Sequence, residues 1–269
     1  MPPTTLEAML DTILALTRTR VAALQKSAAD LERRAAAAPP ARPLVGAFPK
    51  DTVGIVAEVK RRSPSQGPIR ADLDPVAHAG AYVRGGAVAV SVLTDEVHFG
   101  GSLDDLARVA AAVPVPVLRK DFILDELQLL EARTVGASAV LLIVRALERG
   151  RLVALAAAAR RLGLATLVEV HTEAELEAAL AAQPTAVGVN ARDLATFAVD
   201  LHAAERVVRR VPPGVLAVAE SGVTGRADVE RLAAAGADAV LVGASVARSA
   251  DPERAVRGLV GVRRLGRGR

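Results

Sequence analysis

Cysteine is absent from the 269 residues, which excludes disulfides and thiolate metal sites and fits a reducing, cytoplasmic setting. Tryptophan is absent too, and aromatic residues make up only 2% of the chain. Nucleic-acid binding by stacking wants aromatics among clustered cations, and here the cations are scattered, so no nucleic-acid partner is expected. The tail Arg263-Arg264-Leu265-Gly266-Arg267-Gly268-Arg269 reads as a solvated end rather than a nucleic-acid arm. The longest apolar run, Leu152 to Val168, is broken by Arg160 and Arg161, so no membrane span is expected. The opening Met1-Pro2-Pro3-Thr4-Thr5 lacks the charged-then-apolar pattern of a secretory signal. His78, His98, His171 and His202 have no ligand spacing, so no metal site is expected, and no G-x-S-x-G nucleophile turn is present.

Lysine is scarce in a more informative way. Of 34 basic side chains only Lys26, Lys50, Lys60 and Lys120 are lysine, so arginine serves wherever a plain positive charge suffices. Arginine cannot give up its proton, whereas a partly buried lysine can be tuned to do so. Lys60 and Lys120 both end apolar runs, which makes them candidates for chemistry.

What the chain has in quantity is aliphatic: 51% of it is apolar, enough to pack helices on a Val/Leu/Ile sheet. Residues 4 to about 37 have helical periodicity, with a capping box from Thr4 to Glu7 and a stripe of Leu6, Leu10, Ile13, Leu16, Leu24 and Leu31. Prolines at 39, 40 and 43 end it. Residues 1–52 are therefore read as an N-terminal helical extension and 53–269 as the main body of one domain spanning 1–269. From Val53 on, helix-like segments close at glycine and a short apolar strand follows at once, as at Gly85-Gly86-Ala87, Gly136-Ala137 and Gly236-Ala237, with Leu162-Gly163-Leu164 a variant. Adding Val53–Lys60, Val115–Lys120, Ala186–Asn190 and Val215–Glu220 makes eight strands, which predicts a (β/α)₈ barrel of the TIM type. A doubly wound sheet would need fewer strands and usually a G-x-G-x-x-G loop, which is missing after Val59.

In such a barrel the chemistry sits at the C-terminal ends of the strands. Those ends read Glu58 and Lys60, Ser91 to Asp95, Arg119-Lys120-Asp121-Phe122, Glu169, Asn190 with Arg192, Glu220-Ser221-Gly222, and Gly243-Ala244-Ser245. Side chains alternate along a strand, so Val56/Glu58/Lys60, Leu118/Lys120, Leu167/Glu169, Gly188/Asn190 and Val218/Glu220 each share a face. Each polar residue alone could be a satisfied strand end; together they mark one rim. The glycine-bearing loops at Ser221-Gly222 and Gly243-Ala244 are either tight turns or a phosphate site. Two of the four phenylalanines, Phe99 and Phe122, fall in rim loops, as apolar walls for a flat substrate or as core packing.

Ala57-Glu58-Val59-Lys60-Arg61-Arg62-Ser63-Pro64-Ser65, Ser91-Val92-Leu93-Thr94-Asp95 with Phe99-Gly100-Gly101-Ser102, Leu118-Arg119-Lys120-Asp121-Phe122, Leu167-Val168-Glu169-Val170-His171, Gly188-Val189-Asn190-Ala191-Arg192-Asp193-Leu194 and Ala219-Glu220-Ser221-Gly222 resemble the indole-3-glycerol-phosphate synthases. The resemblance implies a carbon–carbon lyase of tryptophan biosynthesis that turns carboxyphenylamino-deoxyribulose phosphate into indole-3-glycerol phosphate, releasing CO₂ and water without a cofactor. It implies Lys120 as general acid at the ketose carbonyl, Glu169 as acid/base for the dehydration, and Lys60 as phosphate contact or second acid. Glu58, Asn190 and Glu220 would hold the lysines and sugar hydroxyls. Ser63 and Arg192 would meet the anthranilate carboxylate, Ser221 would touch the substrate, and Gly222, Gly243 and Ala244 the phosphate. Ala244 and His98 depart from residues frequent in the family. The working form is expected to be a monomer or weak homodimer on a small phosphorylated substrate. Two other readings stay open: a related phosphate-binding barrel isomerase, which would pair an aspartate with a cysteine or histidine, and a barrel that binds without turnover.

Overall fold

The computed structural model describes residues 6–192 and 198–267, and it shows why glycine recurs ahead of the strands. Gly86, Gly136, Gly163 and Gly236 have φ of 103°, 82°, 71° and 95°, a left-handed backbone that a β-carbon disfavours. The residue after each donates back into the last helical turn: Ala87 to Tyr82, Ala137 to Ala132, Leu164 to Ala159 and Ala237 to Leu232, at 2.9 to 3.0 Å. The chain thus stops its helix and enters a strand within two or three residues.

The strands are β1 (Gly54–Val59), a short antiparallel hairpin of β2 (Arg62–Ser63) and β3 (Gly67–Pro68), then β4 (Ala89–Leu93), β5 (Val117–Lys120), β6 (Ala139–Ile143), β7 (Ala165–Val170), β8 (Ala186–Asn190), β9 (Leu216–Glu220) and β10 (Ala239–Val242). Without the hairpin they close a parallel barrel in the order β1-β10-β9-β8-β7-β6-β5-β4, with helices between successive strands, a (β/α)₈ TIM barrel. β5 starts later than the pattern predicts because Pro116 has no N–H to give a ladder. The hairpin in the first rim loop was not anticipated. Among the described residues, no helix is long and apolar enough to cross a membrane.

Alternation along the strands divides the apolar residues as expected. Val56, Ala89, Leu118, Leu141, Leu167, Val218 and Leu241 fill the barrel, while Ile55, Val90, Val140, Val168 and Val240 pack outward under the helices. Phe48 and Leu44 join the inner set, so the segment before β1 stoppers the bottom of the barrel.

The extension differs from a single helix over 4–37. Helix α1 (Leu6–Leu24) ends in a 3₁₀ turn, Gln25–Ser27, and α2 (Ala28–Ala37) follows. Ser27 Oγ donates to Leu24 O at 3.0 Å, a local bond that competes with helical continuation. Thr4 of the expected capping box lies outside the described residues. Ile13 and Leu31 of the stripe are buried, but Leu16 is exposed and Leu14 and Thr17 are buried instead. Thr17 can be buried because its hydroxyl donates to Ile13 O at 2.9 Å.

The described part of the tail, through Arg267, is anchored by two of its arginines, although Arg263 and Leu265 between and beside them stay exposed. Arg264 pairs with Asp238, and Arg267 donates to Asp238 Oδ2 at 2.7 Å, Gly236 O at 2.9 Å and Val215 O at 2.6 Å. Asp238, buried at the start of β10, accepts the Ala217 N–H at 2.7 Å and requires a cation. Those two arginines supply it and strap the tail beneath the barrel.

Candidate active site

The strand ends converge on two adjoining lobes of about 170 and 340 Å³ that share part of their lining. Glu58, Lys60, Ser63, Lys120, Arg192 and Ser221 line both. The first lobe adds Phe99, Phe122, Leu93, Ile143, Glu169 and Asn190; the second adds Glu220, Gly222, Gly243, Ala244 and Arg248. Every site residue expected from the sequence therefore reaches one or both of these lobes. Asp193 and Leu194 of the Asn190 motif lie outside the described residues.

Lys120 stands at the centre. Its Nζ donates to Glu220 Oε2 at 2.7 Å and lies 3.8 Å from both Glu58 Oε1 and Glu169 Oε2. Lys60 Nζ is 3.2 Å from Glu58 Oε2, as their shared strand face predicts. The three carboxylates are 1–5% exposed, so they interact through a poorly screened medium. Burial by itself would lower the pKa of Lys120, but Glu220, Glu58 and Glu169 outweigh it and hold the ammonium above its ordinary range. The lysine is thus tuned to keep its proton until a stronger base develops beside it, rather than to shed it. Burial, reinforced by Glu169 and Glu58 against the opposing pull of Lys120, pushes Glu220 up to about 7. Burial would also raise Glu58, but Lys60 and Lys120 prevail and hold it below the usual carboxylate range.

Two glycines make this crowding possible, a role their sequence positions did not disclose. A β-carbon on Gly188 would overlap Glu220 Oε1, and one on Gly243 would sit 2.5 Å from Glu58 Oε2. Gly243 therefore shapes the carboxylate cluster as well as the second lobe.

The residues on either side of Lys120 belong to a buried cluster that also bonds the helix Glu126–Thr134. Arg119 Nη2 donates to Asp121 Oδ2 at 2.9 Å, Thr94 Oγ1 donates to the same oxygen at 2.7 Å, and Arg20 of α1 donates to Asp121 Oδ1 at 3.0 Å. The extension is thereby tied to the residue next to Lys120. It also enters the site, since Met9, Leu10 and Ile13 line the first lobe. The stripe on the extension was the available signal, but nothing in it indicated which surface it would meet.

Phe99 and Phe122 form the opposite wall, ring centroids 6.4 Å apart and tilted by 39°, with Lys60 Nζ 5.8 Å from the Phe99 centroid. Both side chains line the first lobe. Around the rim, Ser63 Oγ accepts the Gln66 N–H at 3.2 Å, and Asn190 Oδ1 accepts the Arg192 N–H at 3.0 Å. Ser221 has φ of 67° and Gly222 of 79°. A serine held in the left-handed region stores about 1–3 kcal/mol of strain, a common mark of a functional turn. Gly222 could not be alanine without strain, because a β-carbon would lie 2.5 Å from Val199 Cγ1. Ser245 Oγ donates to Val223 O at 3.1 Å and ties this turn to the next loop. Among the described residues, no cluster of three or more histidines and carboxylates could hold a metal.

The chain matches the family model described as indole-3-glycerol phosphate synthase over residues 10–259. It is 51% identical over 236 residues to indole-3-glycerol phosphate synthase 2 of Streptomyces coelicolor, covering 88% of this chain and 92% of that one. With the indole-3-glycerol phosphate synthase of Mycobacterium avium it is 48% identical over 254 residues, 94% and 93% of the two chains. A solved structure of thiamine phosphate pyrophosphorylase from Pyrococcus furiosus shares the barrel fold at a TM-score of 0.59 and 15% identity, over 77% of this chain and 93% of that chain.

Proposed function

Because the chain belongs to the indole-3-glycerol phosphate synthase family, we propose a division of labour within these lobes for that family's reaction. The protein is an indole-3-glycerol phosphate synthase of tryptophan biosynthesis, a carboxy-lyase that closes the indole ring of carboxyphenylamino-deoxyribulose phosphate with loss of CO₂ and water. The aryl carbon that bears the carboxylate attacks the ketose carbonyl, whose oxygen must be protonated as the bond forms. Lys120 is the general acid: its ammonium stays charged at neutral pH, and the developing alkoxide is basic enough to take the proton. Cleavage of the bond to CO₂ then returns its electrons to the ring. Departure of the hydroxyl as water needs a proton delivered to it and one removed from the neighbouring carbon, and Glu169 is the acid/base for this step.

Glu220 and Glu58 hold the lysines, and with Asn190 they meet the sugar hydroxyls. Lys60 contacts the phosphate or acts as second acid. Ser63 and Arg192 meet the anthranilate carboxylate, Phe99 and Phe122 hold the aryl ring, and Ser221 touches the substrate. Gly222, Gly243 and Ala244 offer backbone N–H groups to the phosphate in the second lobe.

The observation that carries this reading is Lys120 Nζ enclosed by three carboxylates, 2.7 Å from one and 3.8 Å from the others, beside an aromatic-walled lobe. Incubation with carboxyphenylamino-deoxyribulose phosphate is expected to yield indole-type fluorescence with CO₂ release; a folded protein yielding neither contradicts it. Millimolar inorganic phosphate is expected to raise the melting temperature by mass action, and an unmoved melting curve removes the phosphate assignment.

A further inference from the structure

His171 plays no part in the reaction as assigned above, yet it touches the machinery. It follows the end of β7, and its side chain is 4% exposed. Nε2 lies 3.6 Å from Glu169 Oε1, and Nδ1 lies 3.6 Å from Glu175 Oε2. Glu175 is anchored in the first turn of the helix Glu173–Ala181. Its Oε2 accepts the His171 backbone N–H at 2.6 Å, and its Oε1 accepts from Arg145 Nε at 2.6 Å. Burial works to raise Glu175, but the bonds from His171 and Arg145 prevail and bring it down to about 2.

One imidazole is thus wedged between a fixed carboxylate and the carboxylate assigned to proton transfer. The charged groups around it are Glu169 from β7, Glu175 from the following helix, Arg145 behind Glu175 and Lys120 behind Glu169. Both ring nitrogens are buried without a hydrogen-bond partner, a costly arrangement for polar atoms. A movement of roughly half an ångström by the Glu169 carboxylate brings Oε1 within hydrogen-bond range of Nε2.

We propose that His171 is a positioning residue for Glu169: its Nε2–H holds Oε1, so that Oε2 is the oxygen turned toward Lys120 and the substrate. Glu175 and Arg145 in turn hold the ring. This inference rests on the acid/base assignment of Glu169.

Two isosteric probes separate the ring's two sides. Glutamine at 171 keeps an amide donor near the Nε2 position, facing Glu169; asparagine keeps one near Nδ1, facing Glu175. We expect H171Q to retain kcat within about threefold of the unaltered protein. H171N is expected to lose about tenfold or more, with KM little changed and both variants melting alike. In combination, E169Q/H171N is expected to be no slower than E169Q alone, because His171 acts through Glu169. The proposal is overturned if H171N keeps its turnover, if H171Q is as slow as H171N, or if the losses in the double variant multiply. Near-normal turnover of E169Q by itself would instead remove the assignment of Glu169, and this inference with it.

Discussion

Gly188 and Glu220 compete for one space. A β-carbon on Gly188 of β8 would overlap Oε1 of Glu220 on β9, and Glu220 Oε2 is the 2.7 Å partner of Lys120 Nζ. Glycine at 188 is therefore a condition of the carboxylate cage around the lysine, although Gly188 itself carries no chemical group.

Replacing Gly188 with alanine is expected to push Glu220 off Lys120. Overpacking of this kind costs about 1–3 kcal/mol, and misplacing a catalytic group by about 1 Å costs roughly 10² in rate. A folded variant with kcat reduced by about that factor is the expected outcome. Unchanged kcat would mean the cage tolerates displacement of Glu220.

Glu220 also sets a pH dependence of stability. Its carboxyl titrates near 4.5 when unfolded and near 7 in the fold, because it is buried beside Glu169 and Glu58. Between those values the folded protein holds a proton that the unfolded chain has released. Its contribution is whole below about 4.5 and is lost as pH rises through about 7. Comparing melting curves of the unaltered protein and Glu220→Gln from pH 5 to 8 checks this. The unaltered protein is expected to lose about 2 °C or more relative to the variant as pH rises. A constant difference across that range contradicts the shift.

The barrel and most of its rim were legible because both rest on short-range rules. Period-two alternation places Lys120 with Leu118 and Glu220 with Val218 on the inward face, and glycine at 86, 136, 163 and 236 marks helix ends in the order the fold uses them. What stayed hidden depends on contacts between distant segments. The packing of Leu10 and Ile13 against the rim is fixed partly by the bond from Arg20 to Asp121, 101 residues apart. The partnership of Arg267 with Asp238 anchors part of a tail read as solvated, and nothing local to either residue announces it. Gly188 and Gly243 matter for the side chains they leave room for, which no pattern around them records. His171 stood in the Glu169 motif, but only the fold brings Glu175 to its other side.

The tail supplies a prediction that separates stability from chemistry. Arg267→Ala removes three hydrogen bonds at the foot of the barrel and leaves Asp238 with Arg264. A loss on the order of 1–3 kcal/mol is expected, read as a melting temperature lower by several degrees. Turnover should stay within about twofold, since these contacts lie at the end of the barrel opposite the lobes. An unaltered melting curve would show that the strap contributes nothing.

The most direct measurement is steady-state turnover of Lys120→Arg beside its affinity for a substrate analogue and its melting curve. Arginine keeps the charge that Glu220, Glu58 and Glu169 require, and most of the length, but replaces the compact ammonium with a planar, delocalised guanidinium that cannot set a transferable proton at the same point against the developing alkoxide. The account predicts a folded protein that binds the analogue and turns over more slowly by roughly 10² to 10⁴. A folded variant keeping more than about a tenth of the turnover, a loss under ~1.4 kcal/mol, would make Lys120 an electrostatic anchor and contradict its role as the acid.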